Sequence, residues 1–168
     1  DNGIRRYLIG EKKLPSVTAI LNATKSEEDK AALANWVERT GLKESEAIVK
    51  AASSRGSKMH AYLESFLLGR ENLSFFDDDE QYKIMAKQII EKGLINRFEE
   101  IWGVECTLYK PDSYSGTCDA VGVYDGRESI IDFKQSNKPK KIEYIDSWFL
   151  QTSAYSLAHN IVYNTNIT

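Results

Sequence analysis

Cysteine is scarce in these 168 residues: Cys106 and Cys118, twelve positions apart, are the two present. Two thiols build neither a disulfide framework nor the four-thiolate set of an iron–sulfur cluster, so no cluster is expected. Both read as reduced packing residues of a cytoplasmic or other reducing compartment, not of a secreted protein. Long apolar runs are missing too, and none approaches the roughly 18 residues of a membrane span. No apolar stretch follows Arg5 and Arg6, so no secretory signal is expected. An excess of positive charge is also lacking. The formal net charge is −3, which does not announce a nucleic-acid partner and moves attention to local charge. Carboxylates neutralised by a bound cation count toward such a total.

What is present suits one globular domain spanning 1–168, with 42% apolar residues and 3 Trp, 9 Tyr and 6 Phe. No internal repeat or linker divides it. Residues 1–102 read as mainly helical and 103–168 as a hairpin with a late helix. Leu14-Pro15 offers a turn, with Ser16 as the cap of a short apolar segment. SEEDKAALANWVERT, residues 26–40, has a capping Ser, early acids and apolar residues at 32, 33, 36 and 37, and Gly41 ends it. A second helical run, 45–68, reads as two helices meeting near Ser53-Ser54-Arg55-Gly56. The acidic tract FFDDDEQ reads as loop and cap. Residues 80–101 repeat Tyr82, Met85, Ile89 and Phe98 at helical intervals. After Gly103 the period changes to that of strands: 104–109, 116–124 and 129–134 are short, β-branched and antiparallel in expectation. A basic loop, Lys138 to Lys141, leads to a helix over 143–159.

Asp125-Gly126 is a strong signal for a two-residue type I′ hairpin. With 124 and 127 paired, opposing residues sum to 251, and Asp119 faces Asp132 about 5 Å away between Cβ atoms. A four-residue loop centred on the same bond gives the same pairing, whereas another loop type slips it by one residue. Lys134 lies on the same face as Asp132. Two carboxylates opposed across a ladder repel, and a divalent cation such as Mg2+ or Mn2+ removes the conflict. A neighbouring ammonium suits the charge that develops in phosphodiester hydrolysis. An exposed salt-bridge set accounts for the same residues without chemistry.

Flanking helices offer further members. His60 and Glu64 are four apart on one helix face, able to give a ring nitrogen and a carboxylate, or to make ordinary boundary contacts. Gln151 and Tyr155, also four apart, could hold a phosphate or simply pack. Arg55, Lys58, Lys138, Lys140 and Lys141 could form a phosphate track or a solvated charged face. His159 reads as a surface or capping residue.

Taken in order, RGSKMHAYLE, SGTCDAVG, IIDFKQ and QTSAY resemble the motifs of the PD-(D/E)xK nuclease superfamily and, within it, the RecB-type exonuclease group. Glu105 in GVECTLY matches an acidic position often found before the Asp strand. LPSVTAIL is similar to the same region of the mitochondrial genome maintenance exonucleases and related phage proteins. The resemblance covers 14 to about 160. It implies an α/β, restriction-endonuclease-like core, a central mixed sheet with an antiparallel hairpin flanked by helices. It also implies a Mg2+ or Mn2+ ion held by His60, Asp119, Asp132 and the Phe133 carbonyl, with Lys134 acting on the attacking water and Glu64, Gln151 and Tyr155 in support. The implied function is a metal-dependent DNA exonuclease acting on single strands or ends. A structure-specific endonuclease or resolvase, a non-catalytic DNA-binding module and an interaction domain with a structural cation are the alternatives. In the family the sheet continues after the Gln/Tyr helix, so a C-terminally truncated sheet is expected.

Overall fold

The computed structural model describes residues 5–70, 80–136 and 138–168. It is mixed α/β. The amino-terminal residues, polar and basic in sequence, form a hairpin of β1 (Arg6–Ile9) and β2 (Lys12–Pro15), with Gly10 at φ 59 in the turn. Four-residue strands carry too little periodicity to be recognised, and Leu14-Pro15, where a turn was expected, forms the end of strand β2. Three helices follow, α1 (Val17–Ala23), α2 (Glu27–Thr40) and α3 (Leu42–Leu67). Ser16 Oγ accepts from the Ala19 N–H at 3.0 Å and Ser26 Oγ from the Asp29 N–H at 3.0 Å, the two capping bonds the sequence implies. Gly41, at φ 85, both ends α2 and starts α3.

The helix α3 is continuous through Ser53–Gly56, where two helices were expected. Serine and glycine cost a helix only tenths to about 1 kcal/mol each, and burial of Met59, Tyr62, Leu63 and Leu67 on this helix outweighs that. The Gln135 side chain packs beside Gly56, where a Cβ would stand at the ordinary contact distance of 3.6 Å from Gln135 Cγ. Phe75 to Asp79 of the acidic tract lie outside the described residues, and Glu80 precedes α4 (Gln81–Ile89). One π-helical turn, Ile90–Leu94, continues α4 and buries Ile90 and Leu94. Helix therefore stops well before the expected 101. Asn96 takes φ 62, and Phe98 already belongs to β3 (Phe98–Lys110). The helical spacing of Phe98 is overridden by tertiary contacts: the Asp125 N–H donates to the Arg97 carbonyl at 2.8 Å, and Arg97 is ion-paired with Asp125 at the hairpin tip.

The sheet is β3-β4-β5, all antiparallel, with β4 at Tyr114–Tyr124 and β5 at Arg127–Ile131. Asp125 and Gly126 have φ of 49 and 72, the positive pair a type I′ turn requires. Tyr124 faces Arg127 and Ala120 faces Ile131, so the register is the one read from the turn. Two bulges let β3 bend along β4. β5 ends at Ile131, earlier than the expected Lys134, and pairs only with Ala120–Tyr124. The remaining part of β4 meets the amino-terminal segment instead: Ser16 bridges Ser115 in parallel sense, the one parallel pairing described, and Tyr7 Oη lies 3.2 Å from Thr117 Oγ1.

After a short 3-10 turn, Ile142–Tyr144, the chain closes with α5 (Asp146–Tyr163). Ala120 packs with Met59, Leu63, Ala86 and Phe133 in one apolar cluster, and its neighbour Val121 with Val17, Leu108, Tyr155 and Ala158 in another. Adjacent strand residues point to opposite faces, so α3 and α4 cover one face and α1 and α5 the other. His159, expected at the surface, is 5% exposed, with Nδ1 2.8 Å from Thr165 Oγ1 and its ring 4.6 Å from that of Tyr163. The chain beyond α5 folds back over it, which helix periodicity could not reveal. No helix among the described residues is long and apolar enough to cross a membrane.

Gly116 is where β4 touches α5: a Cβ there would lie 2.5 Å from Tyr155 Cε1 and 2.9 Å from its hydroxyl. Gly116→Ala is expected to cost about 1–3 kcal/mol as Tyr155 is displaced, read as a roughly 2–10 °C lower melting midpoint. An unchanged midpoint would refute this close contact.

Candidate active site

The sheet divides at Asp119. β5 pairs with β4 as far as Ala120 and then leaves, so the residue that would face Ile131's successor across the ladder is Asp119. Its carboxylate replaces a strand partner. Oδ2 accepts the Phe133 N–H of the departing segment, and Oδ1 lies 2.7 Å from His60 Nδ1 on α3. Asp119 is 8% exposed, and these two bonds compensate its burial. The Phe133 ring packs into the core and meets His60 edge-on at 6.3 Å, which helps to fix the imidazole.

Glu105 joins from β3. Flanked by the pairs Val104–Ala120 and Cys106–Cys118, it stands opposite Asp119. It holds φ 50, a left-handed conformation that non-glycine residues rarely adopt, and such strain concentrates at functional sites. Ligand-type atoms of His60, Glu105 and Asp119 lie within 4.8 Å of one another, the one such group of His, Cys, Asp and Glu among the described residues. The sequence marked Glu105 only through the family's acidic position. Its place beside Asp119 follows from the β3–β4 register, which no local turn rule supplied.

Asp132 sits just past β5, on the other side of Asp119. Its Oδ2 is ion-paired with Lys134 Nζ, and its Oδ1 accepts from Gln151 Nε2 at 3.0 Å. Gln151 also lies 3.1 Å from the Tyr155 hydroxyl. The spacing of four on α5 thus aligns amide and phenol under Asp132. Glu64, one turn after His60, is half-buried, with Arg70 Nη1 at 3.7 Å, and its charge acts on Glu105.

The basic residues separate into two sets. Arg55 Nε donates to Gln135 Oε1 at 2.9 Å and Nη1 to Gln81 Oε1 at 3.1 Å, while Gln135 Nε2 donates to the Ala52 carbonyl at 3.1 Å. Arg55 therefore ties α3 to α4 and to the segment after Lys134, and Gln135, the last residue of IIDFKQ and given no role in the sequence reading, completes that tie. Lys58 Nζ lies 3.9 Å from Glu80 and 5.2 Å from the centre of the Tyr82 ring. Lys138, Lys140 and Lys141 are exposed in the loop before α5. Cys106 and Cys118 face each other across β3 and β4. Hydrogen bonding between them pulls the Cys106 thiol down to about 7 and pushes Cys118 up, and Cys118 is fully buried.

Electrostatics mark the cluster as short of positive charge. The hydrogen bond to Asp119 raises the His60 pKa against the opposing effect of burial, helped by the charges of Asp119, Asp132 and Glu105. Burial, then the Asp119 charge, raises Glu105. Burial raises Asp132 despite Lys134 beside it. One ring nitrogen and several carboxylate oxygens, crowded and reluctant to ionise together, form a donor set that suits a hard divalent cation.

No protein-family model matches the chain. It is similar to two curated proteins named mitochondrial genome maintenance exonuclease 1: the human one, 30% identical over 158 residues, and the mouse one, 31% identical over 137 residues. The matches cover 88% and 77% of this chain, but 44% and 39% of those proteins, so the chain spans less than half the length of the curated relatives.

In the metal-free protein, the raised His60 pKa contributes stability that is complete below its ordinary value of 6.5 and is lost as pH rises through the higher folded value. Glu105 and Asp132, raised from 4.5 and 3.8, act in the same direction from lower pH. Melting in EDTA should therefore occur at lower temperature at about pH 8 than at about pH 6, and His60→Gln should flatten that part of the profile. The same slope in both proteins would exclude His60 as its source.

Proposed function

We propose that this chain is a metal-dependent deoxyribonuclease of the PD-(D/E)xK type, acting as an exonuclease through hydrolysis of phosphodiester bonds. The observation that carries this reading is the convergence of His60, Glu105 and Asp119 where β5 leaves the sheet, with the Asp132–Lys134 ion pair directly after that point. The printed name of the two relatives supports the exonuclease assignment, and the RecB-like order of motifs supports DNA, as single strands or ends, as the substrate.

His60, Glu105, Asp119 and Asp132, with the Phe133 carbonyl, would hold Mg2+ or Mn2+. A cation bound there supplies the positive charge that offsets the phosphate and makes an attacking water more acidic. The protein's own groups do the positioning. Asp132 fixes the Lys134 ammonium, whose charge suits a phosphoryl oxygen and whose N–H groups can orient water. Gln151 holds the second oxygen of Asp132 and so limits its rotation. Tyr155, with its pKa pushed up by burial, stays protonated as a hydrogen-bond donor. Glu64 lies one helical turn from His60 and adds to the negative field at Glu105. Arg55 and Lys58 brace the helices behind the site, and Lys138, Lys140 and Lys141 offer charge to the phosphate backbone.

The test is cleavage of an end-labelled oligodeoxynucleotide by the 168-residue chain in Mg2+ or Mn2+ against EDTA. Lys134→Ala and Asp132→Ala are each expected to lower the rate roughly a hundredfold or more, with melting midpoints near that of the parent. Cleavage that persists in EDTA, or in both variants, would falsify the mechanism. Products that shorten stepwise from an end identify an exonuclease, and internal cuts an endonuclease.

A further inference from the structure

Two clefts, about 630 and 520 Å³ in volume, open beside Lys134, and Lys134 and Trp148 line both. Their chemistry differs. The larger cleft lies between the end of α4 and the loop before α5. Lys92, Lys138 and Lys140 join Lys134 along it, and no carboxylate lies on its described lining. None of Lys92, Lys138 and Lys140 is ion-paired among the described residues. In a chain of net charge −3, this is a local concentration of cations that suits a phosphate backbone.

The smaller cleft lies between α1 and the start of α2 on one side and the start of α5 on the other. Lys25 and Lys134 are balanced there by Asp29 and Asp146, so its charges roughly cancel and phosphate gains little. It offers rings and an amide instead: Tyr144, Trp148 and Asn22. Tyr144 is 67% exposed, so its ring is open to a stacking partner from solution. Gln151, the residue that holds Asp132, also lines this cleft, which brings it to the edge of the candidate active site.

We infer that a single nucleic-acid strand crosses the site through both clefts, its phosphates on one side of Lys134 held by Lys92, Lys138 and Lys140, and its bases on the other stacked on Tyr144 and Trp148. This rests on the nuclease reading for the role of Lys134, and it adds the path of the substrate and a division of labour along it. Stacking on side chains needs unpaired base faces, so a strand fits this path and an intact duplex does not. Lysine contacts to phosphate alone would leave the exposed Tyr144 ring and the half-buried Trp148 ring of the smaller cleft without a role.

The experiment measures binding of a fluorescein-labelled oligothymidylate of about 12 nucleotides to the full chain, by anisotropy in EDTA so that metal-dependent hydrolysis is stopped. Lys92→Glu with Lys138→Glu should weaken binding and lower the slope of log affinity against log salt by about 0.7 for each phosphate no longer neutralised. Tyr144→Ala with Trp148→Ala should weaken it roughly five- to a hundredfold with the salt slope unchanged. Abasic positions walked along the oligonucleotide should matter on one side of the strand only, and should cease to matter in the aromatic double variant. Lys30→Glu on the exposed face of α2, with the melting midpoint, controls for general charge and folding.

Parental affinity in both double variants, or duplex bound as tightly as the single strand, would overturn the proposed path. If Lys134→Ala abolishes cleavage while both double variants bind as the parent does, the nuclease reading stands and the path falls. If no cleavage occurs but the binding losses appear as described, the path stands and the nuclease reading falls.

Discussion

Everything at the candidate site depends on how one buried carboxylate is satisfied. Asp119 lies where β5 leaves the sheet, and burial of a carboxyl group there is tolerable only with good hydrogen-bond partners. One oxygen takes the Phe133 N–H, which anchors the segment carrying Asp132 and Lys134. The other takes His60, which anchors α3. The same carboxylate thereby closes the backbone gap left by the missing strand partner and sets the distance between helix and sheet. Its loss would leave an unpaired N–H and an unanchored imidazole together.

The surrounding architecture holds that junction from both faces. Met59, Leu63 and Phe133 bury α3 against one face, which places His60 at the edge of the core instead of within it. Tyr155 and Ala158 bury α5 against the other, and Gln151 emerges one turn earlier, under Asp132. Gly116 permits the approach of Tyr155. The site is thus assembled from α3, β3, β4, the segment after β5, and α5. No single element holds it. Rigid elements meeting at a parting of strands give fixed carboxylates and an open side, the combination that a cation and a polymeric substrate require.

Backbone strain and perturbed electrostatics coincide at one cluster of side chains. Glu105 is in a left-handed backbone conformation beside two other acids, with its own pKa raised by burial. A fold optimised for stability alone would place an asparagine or glycine there and fewer acids around it. The basic residues beyond the cluster show the reverse pattern: Arg55 and Lys58 are absorbed in intramolecular contacts, whereas Lys92, Lys138 and Lys140 line a cleft with no acid on its described lining. Charge identity was visible in the sequence, but its employment was a matter of neighbours.

Local signals were legible wherever a short-range rule acts. Ser16, Ser26 and Gly41 mark helix ends because capping involves residues at most four apart, and Asp125-Gly126 fixes the register that brings Asp119 level with Asp132. The Gln151–Tyr155 spacing likewise predicts a shared face, and the structure joins them. Where long-range contacts compete, the sequence was silent or misleading. Phe98 left the helical pattern for a strand because of the hairpin tip, α3 ran through its serines and glycine because its later residues are buried, and His159 went inside because the tail folds over it. The turn and cap chemistry of the chain determined the helix ends and the register of the β4–β5 hairpin. The approach of Glu105 to His60, the partners of Asp119 and the two clefts at Lys134 were decided only in three dimensions, since they depend on the burial of apolar surface between residues far apart in the chain.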